Sequence, residues 1–161
     1  MKYMRKFDEN YYNKIDINIL KKYNIIGLDF DETLINNPNS NKLISFIKQN
    51  LNKTYYIVTF RSHGYQDFIS QILWNKYRLK ISKNMILSIP DEIFNLESIG
   101  VELVDLGYYN FGEYLRQEYK KWKGDTCLKY NIEILVDDDY DNVYQQLIKN
   151  DIDYLDPYKI K

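Results

Sequence analysis

Short continuous runs of apolar residues alternate along this chain with longer stretches in which apolar positions recur every three or four residues. Ile25–Asp29 is the first continuous run, too short for a helix and of the kind buried on both faces of a parallel sheet. The turn-rich NNPNSN (36–41) predicts a loop. Leu43, Ile44, Ile47 and Leu51 follow at helical spacing and predict an amphipathic helix over 42–52. TYYIVTF (54–60), rich in β-branched and aromatic residues, is a second strand. Phe68, Ile69, Ile72 and Leu73 then mark a helix from Tyr65 to about Tyr77, and MILSIP (85–90) is a third strand closed by Pro90. Residues 91–112 fit neither rhythm cleanly, and VELVDL reads equally as an extra strand or as part of a small insertion. From Phe111 to Tyr130 the pattern is helical, interrupted at Gly124. IEILV (132–136) is a fourth buried strand running into Asp137, Asp138 and Asp139. A helix around Asn142–Lys149 and a last strand, IDYLD, follow. Residues 1–23 read as a polar lead-in with room for one short helix.

Strands alternating with helices predict an α/β domain over residues 24–161, built on a doubly wound parallel sheet. In such sheets ligands bind outside the carboxyl ends of the strands, near a topological switch point. Asp29 and Asp31 follow the first strand, Thr59 and Arg61 the second, and Asp137 and Asp138 the fourth. One sheet edge can therefore gather all of them, and four carboxylates sharing that edge need a cation. Oxygen ligands in this number suit Mg²⁺, and the lack of His or Cys among them disfavours zinc. A carboxylate so placed can attack phosphorus to give an aspartyl-phosphate that water hydrolyses. A second carboxylate can protonate the leaving oxygen, while a hydroxyl and a lysine stabilise the developing charge.

Composition narrows the classes. With 161 residues, 45% hydrophobic and 28% charged, the chain suits one globular domain with one core. A net charge of −1 argues against a general nucleic-acid binder. The single cysteine, Cys127, excludes an internal disulfide and suits a reducing compartment. No apolar run spans a membrane, and MKYMRKFDENYYNK lacks the apolar core of a signal peptide, so a cytoplasmic setting is expected. The 17 tyrosines, with frequent Asn, Ile and Lys, fit an AT-rich genome, cellular or viral; they do not cluster with positive charge as a base-stacking platform does.

LDFDETL (28–34) resembles the first motif of the haloacid dehalogenase (HAD) superfamily, an apolar strand followed by D-x-D-x-T. YYIVT (55–59) is similar to the second motif and ILVDDDYDN (134–142) to the fourth in its DD form, and the three occur in the family's order over roughly residues 24–155. The resemblance implies a Mg²⁺-dependent phosphatase in which Asp29 is nucleophile and metal ligand. Asp31 would be the acid/base, with its carbonyl on the metal. Thr59 would hold a phosphoryl oxygen, and Asp138 would bind the metal with Asp137 in support. Asp137 with Asp141 is the other register; Asn142 falls where the DD form often carries an asparagine. For the third-motif lysine, Lys121, Lys123 and Lys129 all compete; Lys123 is preferred, placed just before a short helix in KGDTCLKYNIEILVDD, which resembles small phage and viral members. In TFRSH, Arg61 stands close enough behind Thr59 to reach a substrate phosphate.

Between Leu34 and Thr54 there is room for a loop and one helix, so no large cap domain is expected, and residues 91–112 supply at most a small one. The resemblance thus implies a phosphorylated small molecule, such as a nucleotide, or a phosphorylated macromolecular end. Polynucleotide 3′-phosphatases and phosphoprotein phosphatases, including those of the RNA polymerase tail, are the alternatives, as is a non-catalytic HAD-like binding module. His63 reads as a loop residue and Cys127 as sheet packing.

Overall fold

The computed structural model describes residues 13–161. Five strands, β1 (Ile25–Leu28), β2 (Thr54–Ser62), β3 (Ile86–Ile89), β4 (Ile134–Val136) and β5 (Asp153–Leu155), form one sheet in the order β3-β2-β1-β4-β5. All pairings are parallel. Parallel neighbours need crossovers, and helices supply them: α1 (Ser40–Gln49), α2 (Gln66–Tyr77), α3 (Asp91–Phe94), α4 (Leu96–Asp105), α5 (Tyr109–Lys129) and α6 (Tyr140–Lys149). From β1 the chain moves to β2 and β3 on one side, then returns through α3–α5 to enter β4 on the other. The switch point therefore lies between β1 and β4.

Residue alternation sorts the core into two layers. Ile26, Leu28, Ile57, Ile134 and Val136 pack with Leu43 and Ile47 of α1 and Ile69 and Leu73 of α2. Val58, Leu87 and Leu135 face the opposite way, onto Cys127 of α5 and Val143 and Leu147 of α6. Helices on both faces explain why β3 and β4 are buried at successive positions, Ser88 included: neither has a solvent side. The architecture is thus the doubly wound α/β sheet that the sequence predicts.

Three details depart from the sequence-based expectation. VELVDL forms no strand; residues 101–105 belong to α4, with Leu106 as its C-cap, and α4 pairs with the first half of α5 as a helical hairpin. The pairing is close because Gly100 faces Gly112. A Cβ at Gly100 would meet the Gly112 carbonyl oxygen at 2.6 Å, and one at Gly112 would meet the Gly100 oxygen at 2.5 Å. Gly124 does not interrupt α5, which is one helix from Tyr109 to Lys129. Its absent side chain serves packing instead: a Cβ there would meet the Gln146 carbonyl oxygen at 2.9 Å, so α5 can lie tightly against α6. Finally, residues 13–23 are integrated into the domain. Leu20 is buried in the first core layer, and Ile15 bridges to Ile160. Whatever the sequence implies for residues 1–12 falls outside the described residues. Among the described residues, no helix is long and apolar enough to cross a membrane.

Candidate functional site

Register brings two aspartates side by side. Leu28 pairs with Val136, so the next residues, Asp29 and Asp137, leave the carboxyl ends of adjacent strands at the switch point. The Asp29 amide donates to the Val136 carbonyl (2.8 Å), fixing their relative height. Between them sits Lys123, delivered by α5. Its Nζ donates to Asp29 Oδ1 at 2.9 Å and to Asp137 Oδ2 at 2.6 Å. Lys123 is 1% exposed, a burial that an ammonium tolerates only when paired on this scale. Asp137 Oδ1 accepts from the Asp139 amide (2.8 Å), so both Asp137 oxygens are engaged. The Phe60 ring lies over the ammonium, its centroid 4.5 Å from Nζ. Half-buried Asp138 completes the group: Asp29, Asp137 and Asp138 each offer a carboxylate oxygen, and these lie within 4.8 Å of one another.

The charges in this dry pocket do not balance. Burial pushes the Asp29 carboxyl well above the usual carboxylate range; Lys123 pulls it back, and Asp137 adds to the rise. Burial opposes the charge on Lys123, yet Asp137 and Asp29 outweigh it and hold the ammonium protonated above the ordinary lysine value. Asp138 is raised to about 6, by burial first and then by the charge of Asp137. Three acids share one buried base.

A second constellation frames the mouth. Past Asp29 the chain turns through Glu32, which takes a left-handed conformation (φ 54°). Asn37 Nδ2 donates to the Glu32 carbonyl (2.7 Å), Ser40 Oγ to the Thr33 carbonyl (2.9 Å), and Tyr158 OH to Glu32 Oε2 (2.8 Å). This turn presents Asp31 to Arg61 at the end of β2. The guanidinium donates from Nε to Asp31 Oδ2 (2.7 Å) and from Nη2 to Oδ1 (2.8 Å). It rests among the rings of Tyr65, Phe68 and Phe30, at 5.1, 5.5 and 5.6 Å from their centroids. Buried Thr59 accepts the Arg61 amide on Oγ1 (3.1 Å).

An open depression of about 460 Å³ lies over these groups, and its lining includes Asp29, Asp31, Thr59, Arg61, Lys123 and Asp138. Asp137 stands beneath it, through Lys123. Lys121 pairs with Glu118 (2.8 Å), Lys129 lies over the Tyr130 ring (5.7 Å), and Asp141 is exposed on α6; none of the three joins the site. Asn142 hydrogen-bonds the Asp139 carboxylate at the start of α6. His63 lines a different hollow. Cys127 is fully buried, and burial pushes its thiol up to about 12. The same depression also takes Glu32, Phe60, Phe94, Tyr119 and Asp139, which the sequence did not single out. Asp139 carried a helix N-cap signal in D-x-x-N; Phe94 and Tyr119 carried no local signal, because only the fold of α3 and α5 brings them near β1.

A hollow of about 500 Å³ at the other end of the sheet is lined by Tyr23, Glu133 and Asp153. Its carboxylates serve structure: Glu133 accepts the amides of Asn24 and Ile25 (2.5 and 2.8 Å), and Asp153 accepts Tyr23 OH (2.7 Å). The chemistry is therefore concentrated at the carboxyl edge. Searches against protein-family models, curated proteins and solved structures each found no match.

Proposed function

We propose that this chain is a Mg²⁺-dependent phosphatase of the HAD type, hydrolysing phosphomonoesters through an aspartyl-phosphate on Asp29. The observation that carries the reading is the buried Lys123 bridging Asp29 and Asp137, with Asp138 beside them, at the switch point of a parallel sheet. A carboxylate and an ammonium in hydrogen-bond contact, dry and facing an open depression, suit a nucleophile and the stabiliser of the charge it meets. Burial also costs Asp29 solvation, which leaves its oxygens poorly hydrated.

The donor set fits a hard cation: three carboxylates within 4.8 Å, no nitrogen or sulfur ligand among the described residues, and, against the single Lys123 ammonium, two units of positive charge too few. Asp29 and Asp138 would hold Mg²⁺, with the Asp31 carbonyl beside them, while Asp137, saturated by Lys123 and the Asp139 amide, supports them. When bound, Mg²⁺ supplies charge neutralisation at the phosphoryl oxygens.

In the first step an Asp29 oxygen bonds to phosphorus as the ester P–O bond breaks, and the leaving oxygen takes a proton from the Asp31 carboxyl. In the second, Asp31 takes a proton from water, whose oxygen attacks phosphorus and releases Asp29 and inorganic phosphate. Thr59 and Lys123 steady the phosphoryl oxygens in both. For Asp31 to hold that proton its bidentate pair with Arg61 has to open, the guanidinium passing to the incoming phosphate, for which its fork geometry is equally suited.

The test is phosphate release from a panel of phosphomonoesters, with Mg²⁺ and with EDTA, by wild type and Asp29→Asn. Release that needs both Mg²⁺ and Asp29 supports the assignment. Release indifferent to either overturns it.

A further inference from the structure

We infer that the site takes a nucleoside monophosphate, its base stacked on an aromatic wall formed by Phe94 and the Phe60–Tyr119 pair. This rests on the phosphatase reading above and specifies its substrate class. Two independent features of the depression carry it: the chemistry of one wall and the charge of the rim.

Phe60 and Tyr119 stack with centroids 4.6 Å apart and planes 15° from parallel. Phe94, at the end of the short α3, is 46% exposed and lines the same depression. An exposed phenylalanine lining the same polar depression as a stacked aromatic pair offers a face matched to a flat ring. The volume of about 460 Å³ lies within the range of small-ligand clefts, roughly 300–1,000 Å³.

The rim restricts what else the ligand carries. Among the described residues, the depression is lined by Asp29, Asp31, Glu32, Asp138 and Asp139 against Lys123 and Arg61. Both cations are already paired with carboxylates. Even with Mg²⁺ bound this lining stays net acidic, which favours the ligand with the fewest phosphates, and among the described residues no further basic side chain lines the depression for a second phosphate or for the backbone of a polynucleotide. A single phosphate on a neutral, ring-bearing leaving group meets both conditions.

The experiment compares nucleoside 5′-monophosphate, ribose 5-phosphate and nucleoside 5′-diphosphate, with acetyl phosphate as an activated, ring-free phosphoryl donor. We expect kcat/KM for the monophosphate to exceed that for ribose 5-phosphate by about tenfold or more. The diphosphate should fall below the monophosphate by about tenfold or more. Phe94→Ala should bring the first ratio to within about threefold of one, and Phe94→Trp should keep it. The ratio is the readout because general damage to the site moves both substrates together. Calorimetry on Asp29→Asn with Mg²⁺ should show the same preference in binding, lost in Asp29→Asn/Phe94→Ala. If acetyl phosphate is hydrolysed in an Asp29-dependent way but ribose 5-phosphate equals the nucleotide, or Phe94→Ala leaves the ratio unchanged, the aromatic subsite is wrong and the hydrolase stands. If no compound shows Asp29-dependent release, both fall.

Discussion

Two ion pairs flank the same depression and obey different physics. Lys123 is dry, meets two buried aspartates at 2.9 and 2.6 Å, and reaches them from the middle of a helix packed on both sides. Arg61 meets Asp31 at the mouth, where their side chains are 31% and 41% exposed, and it leans on rings that are themselves at the surface. Water screens the outer pair, so opening it costs little. The inner set cannot exchange partners with solvent, and removing one member strands the others. The contrast suits a division of labour in which the inner set holds a fixed geometry and the outer pair yields to a ligand.

Breaking the inner set has the largest expected effect. Asp29→Asn should abolish phosphate release while leaving the circular dichroism spectrum unchanged, because the amide is nearly isosteric and removes one of three crowded acids. Lys123→Ala should abolish activity and also destabilise the fold by about 3–5 kcal/mol in urea unfolding, since it leaves Asp29 and Asp137 buried without their counter-ion. Lys121→Ala, on an exposed i,i+3 pair, should leave both kcat and the melting temperature unchanged. A crippled Lys121→Ala beside an active Lys123→Ala would invert the assignment.

Gly124→Ala tests how the inner lysine is held in place. The added Cβ meets backbone of α6, which cannot rotate aside as a side-chain tip would. Stability should fall by about 1–3 kcal/mol, and kcat should fall with it as Lys123 is displaced. A fully active, fully stable Gly124→Ala would show that the close α5–α6 approach does not set the lysine.

The contrast between the two pairs also marks how far the sequence could be read. Apolar runs ending in Asp29, Thr59 and Asp137 were legible because a parallel strand buried on both faces has a distinctive composition, and because side chains that follow such strands gather at one edge. Lys123 was legible only as one of three lysines. Gly124 looked like a helix break because glycine is a poor helix former by local measure, whereas its use here is tertiary contact with Gln146. VELVDL was ambiguous for a similar reason: as part of α4 it packs through Val104 on Gly112 of α5, a tertiary contact with no local signal. The Arg61–Asp31 pair and the Phe94 wall join residues far apart in sequence, and no local pattern announces them.

Mg²⁺ probes the boundary between the inner set and the mouth, at Asp138. On the proposed reading, millimolar Mg²⁺ should raise the melting temperature modestly, because it would bind the folded chain alone. Asp138→Asn should remove that rise, and Asp141→Asn should keep it. The reverse pattern would move the metal to the other register. Arg61→Lys should matter less for stability: exposed pairs contribute about 0.2–1 kcal/mol, and added salt should erase the difference from wild type. Its effect should appear as a raised KM, since lysine keeps the charge but loses the two-pronged grip.

Cys127 provides the mildest probe. It follows Lys123 by one helical turn on α5, so the two share a face, and it is fully buried. Burial pushes the thiol up to about 12, which keeps it protonated and unreactive through neutral pH. At pH 8 the folded chain should resist a thiol-alkylating reagent that labels the urea-unfolded chain within minutes. The linked stability has a definite sign. A pKa raised by folding contributes stability that is intact below the unfolded thiol value, about 8.5, and declines as pH rises toward 12. Unfolding free energy measured from pH 8 to 10 should therefore decrease for wild type more steeply than for Cys127→Ala, once the parallel contribution of the tyrosines is subtracted by the comparison. Rapid labelling of the folded chain at pH 8 would mean that solvent reaches the turn beside Lys123, and the distinction between a dry inner set and a wet mouth would fail.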